Sequence, residues 1–184
     1  SRLSRGLGDV YKRQVQMLKK IILCFLVCFF TYNTHSQNII PNINLKTING
    51  QTISADEAVN KDGFTIVSFW ATWCIPCINE LDAINEVISS WNEKENIKVL
   101  AISTDDSRSK KRVRPLVNGK NWIFDVLSDT NQEFKRAMGV VGIPHTIVTY
   151  KSEIIHRRIG YTPGEEEDLF CLLYTSPSPR DKRL

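Results

Sequence analysis

The sequence predicts an α/β fold in three layers, a mixed central sheet with helices on both faces. An N-terminal β-hairpin opens it, a central β–α insertion enlarges it, and the last helix is cut short. Three observations carry this. Runs of β-branched and aromatic residues of strand length alternate with apolar residues at helical spacing, and strand–helix–strand alternation followed by a hairpin gives a mixed sheet. Asn49-Gly50, between two short strand-like stretches, is a two-residue hairpin signal. A buried-strand run over 65–70 then gives way to a helix whose entry carries Cys74-Ile75-Pro76-Cys77.

In chain order, residues 42–48 and 51–53 form the hairpin arms around Asn49-Gly50. Ser54 reads as a helix N-cap, with Glu57 three residues on completing a capping box. Residues 65–70, all β-branched, aromatic or small, predict a buried strand. Leu81, Ile84, Val87, Ile88 and Trp91 recur at helical spacing and predict a long helix from Cys74 to Asn92. Residues 99–103 form the next strand, followed by a polar turn and a basic helix around 109–117. Residues 122–127 predict another strand, and 132–138 a short helix ended by Gly139. Residues 146–150 and 154–159 read as strands joined by a turn at Lys151-Ser152-Glu153. Gly160 and Pro163 punctuate the start of a final helix from Glu165. The basic run over 108–114 reads as a solvated helix face, with recognition of an acidic partner as the alternative.

Composition has to be read without the ends of the chain. Residues 4–14 can be encoded by DNA whose reverse complement, read one base in, encodes residues 171–180. That DNA resembles a transposase-type sequencing adapter. Residues 1–16 and 171–184 are therefore expected to be non-native tails, with the biological sequence cut off near Phe170. The whole chain carries 24 basic and 20 acidic residues, whereas residues 17–170 carry 17 and 18. Once the tails are set aside the basicity vanishes, and no nucleic-acid partner is expected.

Met17-Leu18-Lys19-Lys20 and the apolar residues 21–30 read as the n- and h-regions of a signal peptide over 17–36. Thr34-His35-Ser36 offers small residues for cleavage before Gln37. Ten apolar residues fall short of the ~20 that span a bilayer, although Thr31 and Tyr32 would extend them into an uncleaved anchor. Leu23 and Val27 are poor residues to precede a lipidated Cys24 or Cys28. The expectation is an exported, periplasmic protein, a monomer, with one domain over 37–170 large enough for a sizeable core.

A Cys-x-x-Cys pair can ligate zinc, form a permanent disulfide or work as a redox couple, and its position decides among these. Cys74 falls near a helix N-terminus, where unpaired N–H groups and the helix dipole favour a thiolate. Cys77 lies one turn on and faces the same side. A permanent staple of so tight a loop would constrain the unfolded chain little, and zinc would need a second Cys or His pair. With Cys24 and Cys28 in the signal and Cys171 in a tail, Cys74 and Cys77 are the only thiols of the mature domain. A single exported pair argues for redox work. Cys74, nearer the exposed helix end, reads as the nucleophile and Cys77 as the resolving thiol. Pro76 suits the first helical turn. Ile75 brings no charge and no histidine stands between the cysteines, so a reducing pair is expected.

The strand entering Trp73-Cys74-Ile75-Pro76-Cys77 and the later Gly142-Ile143-Pro144-His145-Thr146 resemble the thioredoxin superfamily. Glu80, three residues after Cys77, and the export signal resemble its exported reductases of the TlpA/ResA type, over residues 39–170. The resemblance implies a thioredoxin-like fold with an insertion within 99–138. It implies a cis Ile143–Pro144 bond beside Cys74, with the Ile143 backbone pairing to a substrate strand. It also implies a partly buried Glu80 that helps move protons at the dithiol, where the residues alone leave a solvent-exposed Glu80 open. Trp73, Ile75, Pro76 and Ile143 would form the docking surface, while Trp70 serves the core. His145 reads as an outward-facing histidine, with tuning of Cys74 as the alternative.

Together these readings predict an exported thiol-disulfide oxidoreductase that reduces protein disulfides through Cys74 and Cys77, helped by Pro144 and Glu80. Its task would be apocytochrome c maturation or general disulfide repair. No cofactor or metal is expected, since no nicotinamide or flavin motif is present, and electrons would come from a membrane thiol donor. One alternative is a metallochaperone, although copper carriers of the resembling fold use Cys-x-x-x-Cys, one residue longer. The other is a thiol peroxidase, which would need a Thr-x-x-Cys context that Ala71-Thr72-Trp73-Cys74 lacks.

Overall fold

Strand β3 (Phe64–Trp70) is buried along all seven residues. Its run Phe-Thr-Ile-Val-Ser-Phe-Trp is continuous rather than alternating because both its edges are paired and both its faces are covered. Strand β4 (Ile97–Ser103) lies parallel on one side and β6 (His145–Tyr150) antiparallel on the other. Around them stand β1 (Asn44–Thr47), β2 (Thr52–Ser54), β5 (Asp125–Ser128) and β7 (Glu153–Ile159), in the order β2-β1-β5-β4-β3-β6-β7. The β3–β4 and β4–β5 pairs are parallel and the rest antiparallel, so the sheet is mixed, as expected.

This computed structural model describes Gln14 and residues 16–20, 39–92 and 96–175. The stretch expected to be the apolar part of a signal peptide, and the cleavage site expected before Gln37, lie outside the described residues. The chain divides into two units, residues 1–36 and 37–184, and in the first Gln14 and residues 16–20 are helical and exposed. Among the described residues no helix is long and apolar enough to cross a membrane.

Among the described residues five helices flank the sheet: α1 (Ala55–Ala58), α2 (Ile75–Asn92), α3 (Val113–Lys120), α4 (Glu133–Ala137) and α5 (Glu165–Thr175). Alternation along β3 sorts them. Val67 and Phe69 pack with Ala55 and Ala58 of α1 and Phe134 of α4. Ile66 packs with Ile84, Ile88 and Trp91 of α2 and with Leu169 and Leu173 of α5. Trp70 joins Cys74, Cys77, Leu81 and the α3 residues Val113 and Val117. Helix α2 buries Cys77, Glu80, Leu81, Ile84, Ile88 and Trp91, one face of a 3.6-residue period. Glu80 is the single charge in that stripe. Helix α5 continues beyond Phe170 to Thr175, and Leu173 is buried four residues after Leu169.

Several local expectations are corrected. The hairpin turn has three residues, not two. Thr47 and Gln51 close it through Thr47 N–H to Gln51 O (2.8 Å), and Gly50 sits at φ 87°; this is a turn finished by a left-handed glycine. Ser54 stands at the N-cap of α1, but its side chain caps nothing. Its hydroxyl is engaged with Asn42 Oδ1 (3.1 Å) and Asp56 Oδ1 instead, so no capping box with Glu57 forms.

The basic segment divides into a 3₁₀ turn (Lys110–Arg112) and α3. Asp106 Oδ1 accepts from the N–H groups of Arg108 and Ser109 and so holds residues 106–109 in a turn rather than a helix. Strand β5 begins at Asp125, not at Trp122, because residues 122–123 are tied to α2. Trp122 Nε1 donates to Asp82 (2.9 Å) and Ile123 N–H donates to Asn85 (2.9 Å). Helix α4 does end at Gly139 (φ 67°), with Gly139 N–H to Arg136 O and Val140 N–H to Lys135 O closing a Schellman motif. The second hairpin turns on Lys151 and Ser152 alone, at φ 50° and 71°, with Glu153 already paired to Tyr150.

Candidate active site

Where β3 ends and α2 begins, Ala71–Cys74 form a tight turn, with Cys74 N–H donating to Ala71 O (3.0 Å). Cys74 O accepts the first intrahelical bond, from Ile78 N–H (3.1 Å), which makes Cys74 the N-cap residue of α2. Cys74 and Cys77 are joined in a disulfide with Cα atoms 5.3 Å apart. Cys74 is 6 % exposed and Cys77 fully buried, so of the two cysteines only Cys74 keeps any access to solvent. The adjacent Trp73 (63 %) and Ile75 (70 %) are open, and Pro76 is exposed in the first turn of α2.

The Ile143–Pro144 peptide bond is cis. Ile143 packs against the cluster that contains both cysteines, and this contact joins the two motifs, nearly seventy residues apart in sequence. Pro144 is buried, and its carbonyl accepts from Gly160 N–H (2.8 Å). Val141, 87 % exposed, adds a further apolar side chain to this loop. Sequence reasoning passed over it, although a bare valine just ahead of Gly-Ile-Pro was the available signal.

Glu80 is 1 % exposed, so the open, solvent-facing alternative is overturned. Oε2 accepts from Ser68 Oγ (3.0 Å); Oε1 accepts from Thr146 Oγ1 (2.6 Å) and from Arg158 in an ion pair (3.1 Å). Ser68 and Thr146, polar residues in fully buried stretches of strand, were the overlooked trace of this cage. Trp70 is fully buried and meets Trp122 edge-on at 5.0 Å, a core role.

His145 does not face outward. It is 4 % exposed, lies edge-on to Phe69, and neither ring nitrogen has a partner among the described residues. Strand alternation places it beside Phe69, on the face opposite Thr146 and Glu80. Burial, reinforced by Arg157, holds its pKa below the ordinary 6.5.

A second buried carboxylate was missed. Asp105, fully buried just beyond β4, accepts from Thr72 N–H (2.9 Å), Thr72 Oγ1 (2.7 Å) and Ser103 Oγ (2.9 Å). Thr104 reinforces the seam, its N–H (2.8 Å) and hydroxyl (3.0 Å) both donating to Trp70 O. These bonds lash the turn that presents Cys74 to the end of the neighbouring strand. No grouping of His, Cys, Asp and Glu among the described residues is arranged to hold a metal ion.

A family model described as AhpC/TSA matches residues 37–158, from ahead of the hairpin to the last strand. The chain belongs to the AhpC/TSA family. It is 28% identical over 155 residues to the thioredoxin-like protein YneN of Bacillus subtilis, covering 76% of this chain and 88% of that one. It is 27% identical over 127 residues to the thiol-disulfide oxidoreductase ResA of Bacillus thuringiensis, covering 68% and 70%. A solved thioredoxin-like protein of Porphyromonas gingivalis superposes with a TM-score of 0.66 at 35% identity, covering 79% of this chain and 97% of that one. The fold is thioredoxin-like and the protein is an oxidoreductase.

Two outcomes follow. Asp105→Ala strands the Thr72 and Ser103 donors and is expected to cost about 1–3 kcal/mol in urea unfolding. It should also slow disulfide exchange, because the Cys74 turn loses its tether. For His145, the folded pKa lies below the unfolded one, so its contribution to stability is complete above pH 6.5 and is lost as pH falls from 6.5 toward the lowered folded value. Urea titrations at pH 7.5 and 5.5 should show a smaller stability loss in His145→Leu than in the unsubstituted chain.

Proposed function

We propose that the protein is an exported thiol-disulfide oxidoreductase that reduces disulfides in other proteins. The observation that carries the reading is the Cys74–Cys77 disulfide at the N-terminus of α2, with only Cys74 near solvent, beside the cis Ile143–Pro144 loop. Disulfide exchange needs a nucleophilic thiolate, a second thiol to resolve the mixed disulfide, and a surface that seats the partner. The helix N-terminus stabilises a Cys74 thiolate. Cys77, sealed beneath it, meets only a disulfide already formed on Cys74. Trp73, Ile75 and Val141 offer bare apolar contact, and Pro76 and Ile143 flank them.

The uncharged Ile75 between Cys74 and Pro76 favours the reducing direction, since no cation in the dipeptide stabilises the thiolate further. Relatives named as thiol-disulfide oxidoreductases support the reaction class. The Met17–Ser36 signal pattern supports export, and a membrane thiol donor would recharge the pair. Haem-site cysteines of apocytochrome c or misoxidised exported proteins are the substrates this placement suits. Glu80 would take the proton of the resolving thiol, a role supported by its burial one turn from Cys77 on the same helix face.

Insulin reduction followed by turbidity tests the assignment. Cys74→Ser should reduce the rate to background. Cys77→Ser should leave the protein trapped as a mixed disulfide with its substrate, visible on a non-reducing gel. A Cys74→Ser protein as active as the unsubstituted chain would refute the reading.

A further inference from the structure

A charge in the apolar stripe of α2 is costly, and replacing buried ion pairs by apolar groups often leaves stability unchanged or raises it. The Glu80–Arg158 pair therefore has no ready explanation as a structural staple. Arg158 lies on the edge strand β7, 18 % exposed, opposite Thr146 in the β6–β7 register. It reaches Glu80 Oε1 with Nη2 (3.1 Å) and the start of α5 with Nη1, which donates to Glu165 O (2.9 Å) and lies 3.7 Å from Glu165 Oε2. Its Nε–H finds no acceptor among the described residues, so the guanidinium is not placed to maximise its own hydrogen bonds. Ser68 and Thr146 orient Glu80 but bring no charge.

We propose that Arg158 is a positioning residue for the reaction: it holds the Glu80 carboxylate ion-paired and fixed one turn from Cys77, ready to accept the Cys77 proton. This rests on the disulfide-reductase reading. The Cys74 thiolate attacks one sulfur of the substrate disulfide; that S–S bond breaks as the mixed disulfide forms, and the first substrate thiolate leaves to be protonated by solvent. Cys77 then gives its proton to Glu80, and its sulfur attacks Cys74. The mixed disulfide breaks, and the second substrate thiolate departs with the proton held by Glu80. Two electrons have passed from the cysteine pair to the substrate, leaving the Cys74–Cys77 disulfide. The second step needs the carboxylate as proton acceptor, and the Arg158 guanidinium, 3.1 Å from Oε1, holds it in place.

The charged and titratable groups around Arg158 come from three directions. Glu80 faces it from α2, Glu165 and Glu166 from α5, and Tyr161 from the connection between β7 and α5. Burial and a hydrogen bond to Glu166 push the Tyr161 hydroxyl up to about 12, so it stays neutral throughout the working range. Within this set Arg158 is the cation that touches Glu80.

The test is the pH profile of insulin reduction by the full chain, from pH 4.5 to 8, in Arg158→Gln, Arg158→Lys, Glu80→Gln and the Arg158→Gln/Glu80→Gln double variant. Arg158→Gln should move the acid limb upward by about one pH unit or more, and Arg158→Lys should restore most of it. Glu80→Gln should leave only the limb set by protonation of the Cys74 thiolate, and adding Arg158→Gln to it should change nothing further. Glu165→Ala, which breaks only the α5 arm, should keep the original profile and shows that lost helix anchoring is not the cause. An Arg158→Gln profile that superimposes on the unsubstituted one, or a shift that persists without Glu80, overturns the role of Arg158 and leaves the reductase reading standing. An unsubstituted chain that reduces no insulin overturns both.

Discussion

The turn from Trp70 to Ile75 is the constraint on which the rest of the site depends. A strand buried on both faces must hand over to a helix within four residues, and the handover leaves Cys74 capping that helix. Thr104 grips Trp70 and Asp105 grips Thr72, so the start and the middle of the turn are fastened to the residues that follow the neighbouring strand. Any slack there would move Cys74 relative to the helix N-terminus, to Cys77 and to the cis-proline loop together. Three hydroxyl or amide donors satisfy a fully buried carboxylate for this purpose, which shows how closely the turn is specified.

Beneath the turn the interior is polar where an ordinary core would be dry. Glu80 sits in the apolar face of α2, Arg158 reaches in from the edge strand to pair with it, and Ser68 and Thr146 also donate to it. His145, one residue from Thr146, points to the other face of the sheet, where burial lowers its pKa. Successive positions of one strand thus supply a hydrogen bond to the buried carboxylate and a buried ring to the opposite core. The sheet itself separates the buried carboxylate from the histidine.

Much of the fold was legible because its signals are local. The β-branched run of β3, the helical spacing from Leu81 to Trp91 and Gly139 as a helix stop each depend on a few neighbouring residues. The losses occur where a distant side chain captures the backbone. Trp122 and Ile123 look like strand but are held by Asp82 and Asn85 on α2. Ser54 looks like a cap but turns to Asn42. The cysteines and Gly142–Thr146 could be read in the site for the same local reason. Arg158 and Asp105 could not, since an arginine in an edge strand and an aspartate in a polar turn resemble ordinary surface residues until the chain folds them against Glu80 and Thr72. His145 misled for the converse reason: its register against Phe69, which decides its face, is set by pairing between strands about seventy-five residues apart.

The direction of electron flow is the centre of the account, and the reduction potential of the Cys74/Cys77 pair reports it directly. Equilibration of the full chain against defined glutathione and dithiothreitol ratios, with the thiols counted by alkylation, gives that value. An uncharged Ile75-Pro76 linker and a buried Cys77 predict a reducing couple, at or below about −220 mV. A value near −120 mV, typical of strong protein oxidants, would mean that the pair gives disulfides to its partners rather than removing them, and would contradict the account.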